Sequence, residues 1–381
     1  MMGSSASPAD NTLMQRALEL ARRGVGLAHP NPHVGAIVVR GHQRLGEGFH
    51  EYDKRDHAEI IALRQAGDKA RGATLYVSLE PCCTTGRTPP CTQAIIAAGI
   101  RRVVVPMKDP HPAVAGHGFT ELRRAGIEVD VGLEEEKAKR LNEDFAKWIR
   151  TGFPFVTLKT ALTLDGQIAA RSGHSTTITG DRTRQAAHHL RHSVDALLTG
   201  IGTVLADDPL LTDRSGSPRR RRLLRVVLDS RLRIPLRSRI VKTAENDVLV
   251  FTARAADSQK AQTLRRRGLE IVPVAAPGGR IDLHAVLREL GRRDILHVLL
   301  EAGAELNGAA LRADLVDKLA LFYAPKIMGI GGVPMAKLPA AQRFAKAPAL
   351  TDLSVRPCHP DFVVEGYFHD VYRNHRSRRT N

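Results

Sequence analysis

Three of the four cysteines in this chain lie in one short stretch, LEPCCTTGRTPPC, at residues 79–91. So few cysteines, with three of them in a single loop, do not make a disulfide framework. In a reducing compartment such a cluster more often binds a metal ion or takes part in catalysis. The stretch therefore predicts a cytoplasmic protein with a metal-binding or reactive loop.

The length and charge of the chain limit its architecture and its partners. A chain of 381 residues is expected to form two domains, because single cores seldom grow beyond about 250–300 residues. We expect neither a membrane span nor a secretory signal, since no apolar run has the necessary length or flanks. The net charge of +17 includes the basic runs Arg219–Arg222 and 373–379. These runs are either solvated segments or a nucleic-acid-binding surface, and neither contains an aromatic residue for base stacking.

Short hydrophobic runs alternate with helical patterns along the whole chain, as is typical of α/β proteins. A first series has predicted strands at 34–39, 73–79, 102–107 and 127–131, and predicted helices at 13–27, 57–66, 91–98 and 118–125. A second series has predicted strands at 152–159, 194–200, 225–229, 247–251, 270–274, 295–301 and 318–324, and predicted helices at 181–192, 258–267, 283–291 and 304–313. A charged helix at 134–148 separates the two series. We therefore expect domains at 1–149 and 150–372, followed by a basic, disordered tail at 373–381.

Two of the predicted helices begin at residues that can bind metal. Asp56 is a favourable N-cap residue, and Glu59 three positions later completes a capping box, which explains both carboxylates structurally. The capping box does not explain His57. Thr88 is a second favourable N-cap, followed by proline at the first helical position, so that Cys91 lies in the first turn. The dipole at a helix N-terminus favours a thiolate.

His57, Cys82 and Cys91 together form a candidate zinc site. Three protein ligands leave a fourth position for water, which is the arrangement of catalytic zinc. Glu59, two residues from a ligand, then serves as the general acid and base. Two structural alternatives remain at this point. Cys83 would be the fourth ligand of a closed zinc site, or the thiols are inert beside a capped helix.

His-x-Glu followed by Pro-Cys and a later Cys is the signature of zinc nucleobase deaminases. The long form EPC-x4-GRTPPC, with HPNPHVGAIVV at 29–39 and DPHPAVAGHGF at 109–119, resembles the deaminase domain of riboflavin biosynthesis. The second half also matches, at 150–166, 200–212, 228–235 and 299–311. The whole resembles the bifunctional diaminohydroxyphosphoribosylaminopyrimidine deaminase / 5-amino-6-(5-phosphoribosylamino)uracil reductase family. The resemblance implies a cytidine-deaminase-like three-layer sandwich followed by a dihydrofolate-reductase-like α/β domain.

The resemblance also implies roles for individual residues. His57, Cys82 and Cys91 hold zinc, and Glu59 carries protons. The positions that match the family's NADPH contacts are Ala161, Thr177, Thr203, Asp207, Ser230, Gly303, Ala304, Glu305, Leu306, Asn307, Gly308 and Ala309. The positions that match its substrate contacts are Asn31, His50, Ser175, Arg191, Leu211, Arg214 and Glu301.

The second half has no complete nucleotide-binding fingerprint of its own. Gly303 with Gly308 is not GxGxxG, and the glycines of 200–202 are incomplete, so both are equally typical of tight turns. Without the resemblance, Arg191 and Arg214 would be interpreted as solvated surface charges. With it, they are expected to bind a phosphorylated substrate, because guanidinium groups form bidentate bonds to phosphate.

The chain departs from the family pattern in two places. Residues 83–85 are Cys-Thr-Thr where the family usually has Ser-His and a further residue, often a second His. Thr177 stands where the family usually has Trp. These differences affect expected contacts to the pyrimidine or its phosphate and to the nicotinamide side. They leave the zinc ligands and the cofactor loop unchanged.

The sequence thus predicts two consecutive reactions on one small pyrimidine nucleotide. The first domain removes an amino group hydrolytically with one zinc ion, and the second reduces the ribosyl group with NADPH. We expect a homo-oligomer that binds neither nucleic acid nor membrane. The main alternative is a nucleic-acid-editing deaminase with a basic, RNA-binding C-terminal region. A zinc-stabilised interaction module is a third possibility, but it leaves the open ligand position and Glu59 unexplained.

Overall fold

The structure is a computed structural model that describes residues 7–170, 178–254, 258–339 and 347–373. Ser175, predicted to bind the substrate, and Thr177, predicted to bind NADPH, lie outside the described residues. The chain divides into two compact units. The first contains the residues up to Thr151 together with Pro218–Arg220, and the second contains Gly152–Ser217 and Arg221–Arg373. Within the described residues, no helix is long and apolar enough to cross a membrane.

The first unit is a five-stranded sheet with helices on both faces. Its strands are β1 (Gly35–Arg40), β2 (Gln43–Phe49), β3 (Thr74–Val77), β4 (Arg102–Val105) and β5 (Glu128–Val131). Its helices are α1 (Pro8–Arg22), α2 (Ala58–Ala66), α3 (Cys91–Ala97), α4 (His117–Arg124), α5 (Glu135–Leu141) and α6 (Glu143–Thr151). The strand order is β2-β1-β3-β4-β5, with β1 antiparallel to its two neighbours and the last three strands parallel.

Alternate residues of the central strands form the two cores of this unit. Ala36 and Val38 of β1 point toward α2, α3 and α4, where they pack with alanines of α2 and with Ile95 of α3. Helix α1 covers the opposite face. It packs so closely that a Cβ at Gly35 would lie only 2.2 Å from the carbonyl oxygen of Ala17. The result is the three-layer sandwich that the sequence predicted.

Two glycines let α2 approach the sheet closely. A Cβ at Gly46 would lie 2.1 Å from the carbonyl oxygen of Ala62, and one at Gly48 would lie 2.5 Å from that of Ala58. Any side chain at these positions of β2 would push the helix away. This contact fixes the position of α2, whose first turn carries Glu59 and directly follows His57.

The second unit contains a nine-stranded sheet and a separate two-stranded sheet. Its strands are β6 (Phe155–Thr163), β7 (Gln167–Ala169), β8 (Ala196–Gly200), β9 (Leu224–Leu228), β10 (Val248–Thr252), β11 (Leu269–Pro273), β12 (His297–Leu300), β13 (Lys318–Ala324), β14 (Val333–Pro334), β15 (Thr351–Cys358) and β16 (Asp361–Tyr367). Its helices are α7 (Asp181–His192), α8 (Ile201–Asp207), α9 (Arg239–Lys242), α10 (Gln259–Arg266), α11 (Leu283–Arg292) and α12 (Ala304–Arg312). The sheet order is β11-β10-β9-β8-β12-β6-β13-β16-β15, and β7 pairs separately with β14.

Seven neighbouring strands of the large sheet are parallel, namely β11, β10, β9, β8, β12, β6 and β13. Both faces of this sheet are covered. Leu198 of β8 belongs to a core shared with α11 and α12, whereas its neighbour Leu197 belongs to a core shared with α8, α9 and α10. Parallel strands that are buried on both faces have nearly continuous hydrophobic sequences. The mixed α/β architecture confirms the predicted fold class.

The structure corrects several predicted element boundaries. The helix predicted at 13–27 is α1, which begins and ends earlier, and the charged helix predicted at 134–148 is two helices, α5 and α6. The predicted capping box at Asp56 is wrong, because His57 is the N-cap residue of α2 and no side chain caps it. Thr88 is likewise not an N-cap, since Pro90 precedes the first residue of α3.

Candidate active sites

The three predicted zinc ligands converge in the first unit. His57 lies at the N-cap of α2, Cys91 is the first residue of α3, and Cys82 lies in the loop after β3. The Nδ1 atom of His57 is 3.1 Å from the Sγ atom of Cys91 and 3.5 Å from that of Cys82. Ligand atoms around one tetrahedral zinc ion are separated by roughly 3.5 Å when the Zn–N and Zn–S bonds have their usual lengths. The donor set and its spacing therefore fit zinc.

The surroundings of Cys82 favour its thiolate form. Hydrogen bonding from Cys91, and then from His57, lowers the pKa of the Cys82 thiol to about 4 although burial opposes this shift. The backbone N–H of Cys91, at the N-terminus of α3, also donates to the Sγ atom of Cys82 at 3.4 Å. A deprotonated sulfur is the form that coordinates a metal ion.

Glu59 is a buried carboxylate beside the ligand group, with its side chain in the first turn of α2. Its Oε2 atom has no hydrogen-bond partner among the described residues. Burial raises the pKa of Glu59, and the nearby Cys82 acts in the same direction, whereas His57 opposes the shift. A carboxyl group held this way can exchange a proton more readily near neutral pH than an exposed one.

Asn31 and His50 form a polar pair next to the ligand group. The Nδ1 atom of His50 bonds the carbonyl oxygen of Asp56 at 2.9 Å, so Nδ1 carries the proton. Its Nε2 atom therefore accepts a hydrogen bond from the amide nitrogen of Asn31, also at 2.9 Å. Burial lowers the pKa of His50, which keeps the ring neutral. The rings of His50 and His57 are 5.3 Å apart, so this pair lies at the candidate zinc site.

Cys83 does not belong to the group of potential metal ligands formed by His57, Cys82 and Cys91. Burial raises the pKa of the Cys83 thiol, which disfavours the thiolate. The closed, four-ligand alternative therefore has no support among the described residues. The open three-ligand arrangement is the one that catalytic zinc requires.

In the second unit, the predicted cofactor and substrate residues gather at one edge of the sheet. The strands β9, β8, β12 and β6 are neighbours and parallel, so their carboxyl ends lie along the same edge. Ligands of open α/β sheets bind outside this edge. The predicted residues at these strand ends are Ala161 on β6, Thr203 and Asp207 on α8 after β8, Ser230 after β9, and Glu301 with Gly303–Ala309 after β12.

The segment 303–309 contains both open and tightly packed positions. Gly303 is the N-cap residue of α12, and a Cβ there would have no heavy atom within 4 Å. At Gly308, by contrast, a Cβ would lie 2.2 Å from the carbonyl oxygen of Lys337. Asn307 is fully buried and donates to the carbonyl oxygens of Ala302 and Met335 at 3.1 and 2.8 Å. The packing therefore explains Asn307 and Gly308, while the space at Gly303 can receive a phosphate at a helix N-terminus.

Glu301 is the centre of a partly buried charged cluster. Its two carboxylate oxygens accept bonds from Nε and a terminal nitrogen of Arg191 at 2.8 and 2.9 Å. Lys159 lies 3.4 Å from the same carboxylate. The bidentate face that was expected to bind phosphate on Arg191 is thus used by Glu301. Arg214 is exposed, and its guanidinium is the more accessible of the two.

Leu211 lies in the loop after α8 and has a left-handed backbone conformation, with φ of 56°. A branched, buried residue adopts this conformation only where its surroundings impose it. The fully buried Arg225 contributes to this constraint, because it donates to the carbonyl oxygen of Leu210 at 3.1 Å and pairs with Asp247 at 2.7 Å. Strained loop residues of this kind cluster at binding sites.

Two residues near the sites were not identified from the sequence. Lys159 was overlooked because a single lysine in a strand carries no local signal, and only the pairing of β6 with β12 brings it to Glu301. From the sequence, Arg220 is one of four consecutive arginines in a run that is either solvated or nucleic-acid-binding. In the structure it belongs to the first unit, where its guanidinium lies 3.8 Å over the ring of Tyr52 and its Nε bonds Asp53 at 2.8 Å.

The fold and the sites define a zinc-type nucleobase deaminase unit joined in one chain to an α/β reductase unit. Comparisons with known families agree with this class. The family of the cytidine and deoxycytidylate deaminase zinc-binding region matches residues 7–107. The family of the RibD C-terminal domain matches residues 154–364, which is more than half of the chain.

Known relatives resemble the chain over nearly its full length. Riboflavin biosynthesis protein RibD of Escherichia coli (strain K12) is 41% identical over 367 residues, which cover 93% of this chain and 98% of the relative. The RibD of Aquifex aeolicus (strain VF5) is 44% identical over 322 residues, covering 84% and 88%. The solved structure of Acinetobacter baumannii RibD, form 1, has a TM-score of 0.84 and 39% identity, covering 94% of this chain and 98% of that chain.

The chain belongs to the RibD family of bifunctional riboflavin biosynthesis enzymes. It is therefore a deaminase and a reductase that uses zinc and NADPH, as the sequence predicted. The alternative of a nucleic-acid-editing deaminase is not favoured, because the second half is a reductase domain.

Proposed function

We propose that residues 1–149 perform the first of the two reactions and residues 150–372 the second. The first part deaminates 2,5-diamino-6-(5-phosphoribosylamino)pyrimidin-4-one, and the second reduces the ribosyl group to ribityl phosphate. The observation that carries this assignment is the convergence of His57, Cys82 and Cys91 beside the buried carboxylate of Glu59. A structural zinc site would have no use for such a carboxylate.

In the deaminase part, we propose that His57, Cys82 and Cys91 hold the zinc ion. Zinc in such a site supplies a water molecule whose pKa is lowered toward about 7. Glu59 accepts a proton from the water that attacks the amino-bearing pyrimidine carbon. It returns a proton to the departing nitrogen, which leaves as ammonia. The free Oε2 atom of Glu59 is the feature that suits it to this exchange.

Asn31 and His50 are proposed to orient the pyrimidine. Because the amide nitrogen of Asn31 donates to His50, its orientation is fixed and its carbonyl oxygen faces the other way. That oxygen can accept a hydrogen bond from an amino group of the substrate, which distinguishes an aminopyrimidine from its deaminated product.

In the reductase part, we propose that NADPH lies along the carboxyl edge of β9, β8, β12 and β6. Its role there is to supply a hydride to the ribosyl C1′. The bond from C1′ to the ring oxygen breaks, and that oxygen takes up a proton. We propose that Lys159, whose amino group lies 3.4 Å from the carboxylate of Glu301, donates this proton. Arg214 is exposed and is proposed to bind the substrate phosphate, with Leu211 contacting the substrate.

We also propose a cytoplasmic homo-oligomer. The clustered free cysteines suit a reducing compartment. The edge strand β15 exposes Leu353 and Val355, with 59% and 61% of their surface accessible. An edge strand with apolar side chains is a surface that a second copy of the chain can cover.

The zinc assignment is tested by elemental analysis of purified variants. We expect Cys82→Ser and Cys91→Ser each to lose one equivalent of zinc relative to the wild type. Cys83→Ser is the matched control, since it changes the adjacent thiol, and it is expected to keep all its zinc. Loss of zinc from Cys83→Ser equal to that from Cys91→Ser would show that the ligand assignment is wrong.

A further inference from the structure

A second group of potential metal ligands lies in the first unit, apart from the catalytic one. It consists of His29, His33 and Asp144, whose ligand atoms all lie within 4.8 Å of one another. The Nε2 atom of His29 is 3.3 Å from the Oδ2 atom of Asp144. The two imidazole rings have centroids 4.8 Å apart and are tilted by 55°. None of these residues has a role in either proposed reaction.

The backbone around this group is fixed on both sides. The buried side chain of Asn142 accepts a bond from the N–H of His33 at 2.8 Å and donates to its carbonyl oxygen at 3.1 Å. In α6, the Oδ1 atom of Asp144 accepts the N–H of Phe145 at 2.7 Å, which leaves Oδ2 directed at His29. The ligands are therefore held in place by the fold before any ion binds.

The chemistry and spacing of the three residues match those of a transition-metal site. His29 and His33 are separated by three residues, within the H-x3–5-H spacing of known zinc sites. For Zn–N and Zn–O bonds of about 2.0–2.2 Å, neighbouring ligand atoms of a tetrahedral ion are roughly 3.4 Å apart. The observed 3.3 Å between His29 and Asp144 agrees with this value.

Burial makes an ion at this place energetically reasonable. The side chains of His29 and Asp144 are only 10% and 7% exposed, and His33 is 3% exposed. A buried carboxylate requires a compensating positive charge. A divalent cation bound by the three residues would supply it.

We propose that His29, His33 and Asp144 bind a second divalent transition-metal ion, with zinc as the expected occupant, and that this ion has a structural role. Both histidines lie on the segment that carries Asn31, whose amide pairs with His50 at the catalytic site. An ion at this place ties that segment to α6. It thereby holds a substrate-binding residue in position without touching the substrate.

Elemental analysis of the purified full-length protein provides the first test. The wild type is expected to contain about two equivalents of zinc or another divalent metal per chain. Asp144→Asn, which preserves the shape of the side chain, is expected to lose one equivalent, and so is His33→Gln. His42→Ala is the matched control, because this histidine is exposed in the same unit, and it should lose none.

A second measurement distinguishes metal binding at this site from metal binding at the catalytic site. In a Cys91→Ser background, which lacks the catalytic ion, added zinc should still raise the melting temperature of the protein. Adding Asp144→Asn to that background should abolish this rise. A wild type with one equivalent of metal, or a melting temperature that zinc raises equally with and without Asp144, would overturn the proposal. The three residues would then form only a hydrogen-bonded cluster.

Discussion

Glu301 shows how a single, partly buried carboxylate is kept ionised in the second unit. Burial alone would raise its pKa, but Lys159 and Arg191 outweigh burial and lower the pKa of Glu301 to about 2. In the unfolded chain the pKa returns to about 4.3. Because the folded state has the lower pKa, the stabilisation is fully present above about pH 4.5 and is lost as the pH falls toward about 2.

We therefore predict that Glu301→Gln lowers the free energy of unfolding by about 3–5 kcal/mol at pH 7, since two partly buried cations lose their carboxylate. The difference from the wild type should shrink as the pH falls below about 4.5. Urea unfolding at several pH values measures both effects. Glu305→Gln is the control, because the pair of Glu305 with Lys337 is exposed and is worth less than about 1 kcal/mol. Equal losses for the two variants, or a loss independent of pH, would contradict this account.

Among individual residues, the sequence predicted which side chains converge better than it predicted the helix caps beside them. The residue types and spacing of His57, Cys82 and Cys91 were sufficient to predict that they converge. The predicted cap at Asp56 is wrong, because α2 begins one residue later with His57 as its N-cap, and the Asp56 carboxylate pairs with Arg64 at 2.8 Å. The cluster of Glu301, Lys159 and Arg191 was not foreseen, because it joins three segments far apart in the chain.

Among the elements, β2 and β15 were missed for different physical reasons. β2 has the sequence QRLGEGF, in which glycine and charge hide the alternation of a strand. Those glycines are needed because α2 packs against them, so a tertiary contact overrides the local propensity. β15 is exposed along most of its length and therefore lacks a buried face that would give a periodic pattern. The buried parallel strands, by contrast, were all predicted within a few residues.

The helix α12 allows cofactor binding to be separated from packing. Gly303→Ala adds a methyl group in open space at the helix N-terminus, where a phosphate would approach the backbone. We predict that it weakens NADPH binding about tenfold or more, since a lost charge-assisted bond costs about 1.5–3 kcal/mol, while the melting temperature is unchanged. Gly308→Ala places a methyl group against Lys337 and should instead destabilise the protein by about 1–3 kcal/mol.

Fluorescence titration with NADPH and thermal unfolding of both glycine variants distinguish these outcomes. If Gly303→Ala bound NADPH as tightly as the wild type, the cofactor phosphates would not lie at this helix N-terminus. If Gly308→Ala were as stable as the wild type, the close approach of Lys337 would not be a constraint.

On the scale of the whole molecule, the described residues form two compact units that do not follow the order of the chain everywhere. The segment Pro218–Arg220 belongs to the first unit although it lies within the sequence of the second. Arg220 is held there by Tyr52, Asp53 and the carbonyl oxygen of His29. No local pattern distinguishes this arginine from its neighbours in the basic run, so only the folded structure reveals its contacts.

One chain performs both the deamination and the NADPH-dependent reduction. The decisive test is a coupled assay that follows ammonia release and NADPH oxidation on the same pyrimidine nucleotide, with wild type compared to Glu59→Gln. We predict that the wild type shows both signals. Glu59→Gln should keep its zinc and lose ammonia release, yet oxidise NADPH at the wild-type rate when given the deaminated substrate. Substantial ammonia release by Glu59→Gln, or loss of NADPH oxidation on the deaminated substrate, would contradict the account.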